Sequence, residues 1–195
     1  MSRRLQALAL VAALPIVLVL AFWLGSSGED GDAGAGNPAS QAPDYDQAFA
    51  GAPPPIAALF RQANELIPGG LEAFDDELGR LEGYPVVANL WASWCGPCRS
   101  EFPFFQRQAA EHADEVAFLG VDSRDSDDAA RTFLEQLPLP YPSVADPEGE
   151  VWNDVGAVGL PVTVFYDSDG RTVHLKHGEY RSEDELAADI DRYSR

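Results

Sequence analysis

Cys95 and Cys98 are the only two cysteines among 195 residues, and they stand three apart in Trp91-Ala-Ser-Trp94-Cys95-Gly96-Pro97-Cys98-Arg99. An apolar, strand-like run ends just before them and a helix-like run starts at them. That context makes two thiols a reversible redox pair. The thiolate, not the thiol, attacks disulfides, and a free cysteine ionises only near pH ~8.5. A helix that begins at Cys95 favours a negative sulfur through its unpaired N–H groups and its dipole. Gly96 permits the tight turn, Pro97 suits the first helical turn because its missing N–H leaves nothing unbonded, and Arg99 adds a positive charge nearby. Cys95 is therefore expected to be the nucleophile. Cys98, one turn into the helix and more shielded, is expected to resolve the mixed disulfide.

Two blander uses of the pair are weaker. A permanent disulfide across two intervening residues removes little chain entropy. A zinc site needs two further thiolates or imidazoles, and there is no other cysteine. His112, His174 and His177 read as structural or solvent-facing residues. The run Asp122-Ser-Arg-Asp-Ser-Asp-Asp128 is like a calcium loop only superficially, because it lacks the central glycine and terminal glutamate. No cofactor is expected.

The elements that must position the pair follow from hydrophobic periodicity. Ile56, Leu59, Phe60, Ala63, Leu66 and Ile67 fall on one helix face, and Pro68-Gly-Gly70 ends that helix. Leu71 to Leu81 is ambiguous between helix and strand. Pro85 to Trp91 and Val116 to Val121 read as buried strands, with a helix from Pro97 to about His112 between them. Ser126, a plausible N-cap, opens a helix to Leu137. Residues 138–147 read as an irregular, proline-rich connection, and Glu148 to Val155 as a short helix. Pro161 to Tyr166 and Arg171 to His177 read as a hairpin around Asp167-Ser-Asp-Gly170. Ser182 and Glu185 form a capping box for a last helix to Tyr193. The order implies an α/β fold: a mixed central sheet with helices on both faces, parallel in its βαβ half and closed by an antiparallel hairpin. Trp91 is expected in the core and Trp94 at the rim of the site.

The chain has 32 acidic residues, 13 basic ones and a formal net charge of −19. Such a surface repels nucleic acid and anionic lipid. Arg3 and Arg4 (in a cytoplasmic segment, residues 1–4) precede residues 5–24, an apolar run 20 residues long with Gln6 its one polar member. As a helix that run spans about 30 Å, a bilayer core. It reads as an uncleaved transmembrane anchor rather than a signal peptide, with the rest of the chain exported. Residues 25–55, rich in Gly, Ala, Asp and Pro, read as a disordered linker on which Tyr45 and Phe49 can dock locally. The folded domain is expected over 56–195, with 56–67 a helical extension.

Trp94-Cys95-Gly96-Pro97-Cys98 is the active-site sequence of thioredoxins. The longer block from Asn89 to Pro103 resembles the TlpA/ResA/CcmG-type thiol-disulfide oxidoreductases, exported and commonly membrane-tethered members of the thioredoxin superfamily. Gly159-Leu160-Pro161-Val162-Thr163-Val164-Phe165 is a second match. The resemblance implies a thioredoxin-like fold and a cis bond at Leu160–Pro161 facing the cysteines. It makes Trp94, Gly96, Pro97, Leu160 and Pro161 the substrate-binding rim. Thioredoxin has an aspartate where this chain has Asn89, which cannot relay protons in the same way. The family instead has a glutamate at the position of Glu101, which shares a helix face with Cys98 and has Phe102, Pro103, Phe104 and Phe105 beside it to raise its pKa. The family further implies reduction of disulfides in exported proteins, apocytochrome c foremost, with electrons from a membrane thiol carrier. A copper or haem chaperone on the same fold, or a thioredoxin-like peroxidase, is the alternative.

Overall fold

The computed structural model describes residues 43–194, so the expected anchor and most of the expected linker lie outside the described residues. Among the described residues no helix is long and apolar enough to cross a membrane. The elements are α1 (Tyr45–Ala48), α2 (Pro54–Arg61), β1 (Leu66–Ile67), α3 (Gly70–Arg80), β2 (Val86–Trp91), α4 (Gly96–Glu111), β3 (Ala117–Ser123), α5 (Asp127–Gln136), β4 (Ser143–Asp146), α6 (Glu150–Asp154), β5 (Val162–Tyr166), β6 (Thr172–His177) and α7 (Glu183–Tyr193).

One sheet runs in the order β1-β4-β3-β2-β5-β6. β1, β4, β3 and β2 pair in parallel, and β5 and β6 are antiparallel additions. This is the expected thioredoxin-like mixed sheet. Alternation along β2 explains its two layers. Val87 and Trp91 pack on one face with α4, α5 and α7, through Phe102, Phe105, Phe133, Leu134 and Leu186. Val86, Ala88 and Leu90 pack on the other with α2, α3 and α6, through Ile56, Leu59, Phe74 and Val151. Every residue of β2 and β3 is buried, as their largely apolar runs predict.

Four local expectations change. Residues 45–48, within the expected linker, are helical, and Phe49 is buried with its ring stacked 4.5 Å from that of Phe60. The helix expected through Ile67 stops at Arg61, and Leu66 and Ile67 become an edge strand. Asn64 makes that break. It holds a left-handed φ of 64°, donates its N–H to the Tyr141 carbonyl, and accepts from the Leu139 N–H on Oδ1. The segment left ambiguous at 71–81 is helical. The connection expected to be irregular contains β4, whose four residues are all buried. Prolines at 138, 140, 142 and 147 conceal so short a strand, and Pro142 accepts from β3 through its carbonyl instead.

Gly120, central on β3, is required by a close approach. A Cβ there would lie 2.1 Å from Ser143 Oγ and 3.0 Å from Trp91 Nε1. That hydroxyl accepts the Trp91 indole N–H at 3.2 Å, and the indole stacks on Phe133. Gly120→Ala should therefore cost about 1–3 kcal/mol. The check is a urea midpoint lowered at unchanged slope, with altered Trp91 fluorescence.

Candidate active site

β2 ends at Trp91, and the chain turns through Ala92, Ser93 and Trp94 into α4. Cys95 is the N-cap of that helix. Its φ and ψ are −85° and 101°, and its Sγ accepts the Cys98 N–H at 3.2 Å. The sulfur thus takes a helix-start donor, as a capping oxygen does elsewhere. Pro97 lies in the first turn, where its missing N–H leaves no bond unmade. The two sulfurs form a disulfide, with the Cα atoms 5.3 Å apart. Cys95 is 4 % exposed and Cys98 fully buried, so Cys95 is the more accessible of the two.

Trp94, 60 % exposed, is the large apolar side chain on the rim. Its Nε1–H donates to the Arg124 carbonyl at 3.3 Å, and the Ser93 N–H donates to Asp125 Oδ2 at 2.6 Å. The loop after β3 thereby clamps the segment before Cys95. Arg124 has φ 56°, and its guanidinium lies 4.4 Å over the Trp152 ring. Arg99, expected near the sulfur, lies over the Phe133 ring and bonds Gln136.

The Leu160–Pro161 bond is cis. Leu160, Pro161 and Pro97 line an open cavity of about 540 Å³ whose other walls include Lys176, His177, Glu179 and Arg181. The proline loop and the cysteine helix thus border one space. Lys176 is engaged: its Nζ donates to the Gly178 and Glu179 carbonyls and sits over the Tyr180 ring. Of the histidines only His177 borders this space. His174 stacks on Tyr193 and His112 bonds Glu115.

Glu101 is fully buried one turn beyond Cys98. Its Oε1 accepts from Asn89 Nδ2 and its Oε2 from the Tyr180 N–H, both at 2.9 Å. Burial pushes its pKa up to about 7, while the two donors and nearby Lys176 hold it back. The sequence pointed to Glu101 but not to the support of Asn89. Alternation along β2 places Asn89 on the Trp91 face, toward α4, and that signal was present in the sequence. Asp122 was also missed. It is buried opposite Trp91, with Oδ1 unpartnered, and burial plus Asp125, Asp127 and Asp146 push its pKa up to about 8.

These two acids set a pH dependence of stability. In the unfolded chain both ionise near pH ~4, whereas the fold keeps them protonated to about 7 and about 8. The folded state therefore binds more protons in that window, and stability falls as pH rises through it. The oxidised protein should unfold at higher urea at pH 5 than at pH 8. Glu101→Gln should remove a share of the slope worth about 3 kcal/mol. A profile as steep in Glu101→Gln as in the parent would show that Glu101 is not the source.

Residues 73–175 match the AhpC/TSA family. The chain is 36% identical over 135 residues to the thiol:disulfide interchange protein DsbE homolog of Paracoccus denitrificans, across 67% of this chain and 72% of that protein. It is 28% identical over 124 residues to thiol-disulfide oxidoreductase ResA of Bacillus thuringiensis subsp. konkukian, across 63% of this chain and 72% of that one. A thiol:disulfide interchange protein of the DsbE kind from Chlorobium tepidum shares the fold with a TM-score of 0.56 at 28% identity, over 60% of this chain and 84% of that chain. By fold, by the cysteine pair at the start of α4 and by these relationships, the chain belongs to the AhpC/TSA family and is a thiol-disulfide oxidoreductase of the TlpA/ResA/CcmG type.

Proposed function

We propose that the protein reduces disulfides of exported proteins, apocytochrome c the leading candidate, with Cys95 as nucleophile, Cys98 as resolving thiol and Glu101 as the acid–base residue that serves Cys98. The observation that carries this reading is the sealed Glu101 carboxyl one helical turn from Cys98, poised near neutral pH. The Cys95 thiolate attacks one sulfur of the substrate disulfide, forming a mixed disulfide and releasing the other substrate sulfur as a thiolate. Cys98 then gives its proton to Glu101 and attacks Cys95 Sγ. The second substrate thiolate leaves, the substrate has gained two electrons, and the enzyme holds the Cys95–Cys98 disulfide seen in the structure. A membrane thiol carrier restores the reduced pair.

The substrate lies across Trp94, Gly96 and Pro97 and beside Leu160 and Pro161. The β5 ladder starts at Val162, so the Leu160 backbone lies just beyond it, where an extended substrate can add main-chain bonds. The cavity along Pro97 and Pro161 takes its side chains. Residues 5–24 anchor the chain in the cell membrane and residues 25 onward carry the domain on the extracytoplasmic side. The Gly-Pro dipeptide between the cysteines is that of the reducing thioredoxins, which favours reduction over oxidation.

Cys98→Ala should trap the mixed disulfide on Cys95 in the native host, with the partner identified by mass. Recovery of no covalent partner, with no reduction of a protein disulfide by the unaltered chain, overturns the reading. Glu101→Gln should slow resolution at pH 7 by about 100-fold. An unchanged rate removes Glu101 from the mechanism.

A further inference from the structure

The side chain that supports Glu101 from β2 leaves one of its own buried polar atoms unmet. Oε2 faces the Tyr180 backbone N–H, a fixed group that can only donate. A proton on Oε2 would set donor against donor. Oε1 faces the Asn89 carboxamide, which presents Nδ2 to it. The other end of that amide, Oδ1, is buried and has no hydrogen-bond partner. An unmet buried acceptor is costly to keep, and a core residue with no further task would avoid it. Gly120, the register partner of Asn89 on β3, presents no side chain beside it, and Thr163 is the partner on β5.

We infer that Asn89 is a positioning residue whose carboxamide reverses as Glu101 gains or loses its proton. When Glu101 is ionised, Nδ2 donates to Oε1 and Oδ1 is left unpaired, the arrangement seen. When Glu101 is neutral, the proton sits on Oε1 and the reversed amide accepts it through Oδ1. One side chain thus serves both protonation states, which a fixed backbone donor cannot do. Asn89 carries no proton itself. It allows the carboxyl to take one from Cys98 and return it without losing its place. The relevance to catalysis rests on the reading of Glu101 as the acid–base residue.

Other groups act on the same carboxyl. Lys176 on β6 lowers its pKa and Glu179 raises it. The Tyr180 hydroxyl is bonded to Asp189 on α7, and the Tyr141 hydroxyl, before β4, is buried within electrostatic reach of Glu101. The Cys95–Cys98 disulfide lies on the same helix. Among these, Asn89 alone both bonds a Glu101 oxygen through its side chain and offers a donor and an acceptor.

The test is an NMR pH titration of the oxidised full-length chain that follows Glu101 Cδ and the Asn89 side-chain amide. The amide signals should move with the Glu101 midpoint and stay flat in Glu101→Gln. Asn89→Leu, close in size but without polar atoms, should raise the Glu101 midpoint by about one pH unit. The base limb of the exchange-rate profile should move the same way. Asn89 signals that stay constant through the Glu101 midpoint in the unaltered chain overturn the inference, whether or not the variant folds. So does an unshifted midpoint in a folded Asn89→Leu protein. If instead the titrations behave as stated while Glu101→Gln exchanges at the parent rate, the catalytic reading of Glu101 fails and the Asn89 assignment stands.

Discussion

Taking a carboxyl out of water raises the energy of its ionised form by several kcal/mol unless donors replace the lost hydration. Glu101 is fully buried, and its replacements come from Asn89 on β2 and from the Tyr180 backbone ahead of α7. Two distant segments therefore meet α4 at one side chain. Two donors offset only part of the desolvation, which leaves the group near neutrality rather than locked as an ion. A fully solvated carboxyl would be always charged, and one without donors always neutral. Neither changes its protonation around neutral pH. The packing that maintains this balance is aromatic: Trp91, Phe102 and Phe133 meet in stacked and edge-on pairs beneath the disulfide. The segment ahead of α7 is held to α4 by the Phe105–Tyr180 pair, and α7 itself by an Arg107–Glu183 ion pair at 2.7 Å.

The rim above is organised by different means. Backbone and side-chain bonds from Arg124 and Asp125 hold Ser93 and Trp94 in place, so the exposed indole is an oriented wall. The turn needs Arg124 in the left-handed region and Gly149 beneath it, where a Cβ would come within 2.5 Å of Arg124 Nε. The acidic run at 122–128 has structural tasks. Asp125 also accepts the Ser126 N–H, Ser126 caps α5, and Asp127 and Asp128 sit in its first turn. Asp146, at the end of β4, accepts three successive N–H groups at the start of α6. Charges that in composition suggest only solubility thus fix the loops around the redox pair.

What could be read in the sequence separates by range. The cysteine pair, the cap at Cys95, Ser126 as N-cap and the Ser182–Glu185 contact are all set by residues within about one turn. The capping box differs in one detail: Glu185 accepts from Arg181 N–H rather than from Ser182. The buried strands β2 and β3 announced themselves by runs that are apolar but for Asn89 in the one and the terminal Asp122 and Ser123 of the other, and the hairpin by its turn. β1 and β4 did not, because each is short and exists through pairing with a distant strand. Phe49 likewise has meaning only against Phe60.

The sequence by itself determined the chemistry, since the spacing of two thiols at a helix start is a local property that tertiary packing need only preserve. The tertiary structure alone decided the protonation of the acid beneath them. Desolvation depends on everything surrounding a group, and here the partners of Glu101 lie 12 and 79 residues away along the chain. Asn89 shows the difference: in sequence it marks the loss of an aspartate, and in the fold it is a hydrogen-bond partner of the glutamate.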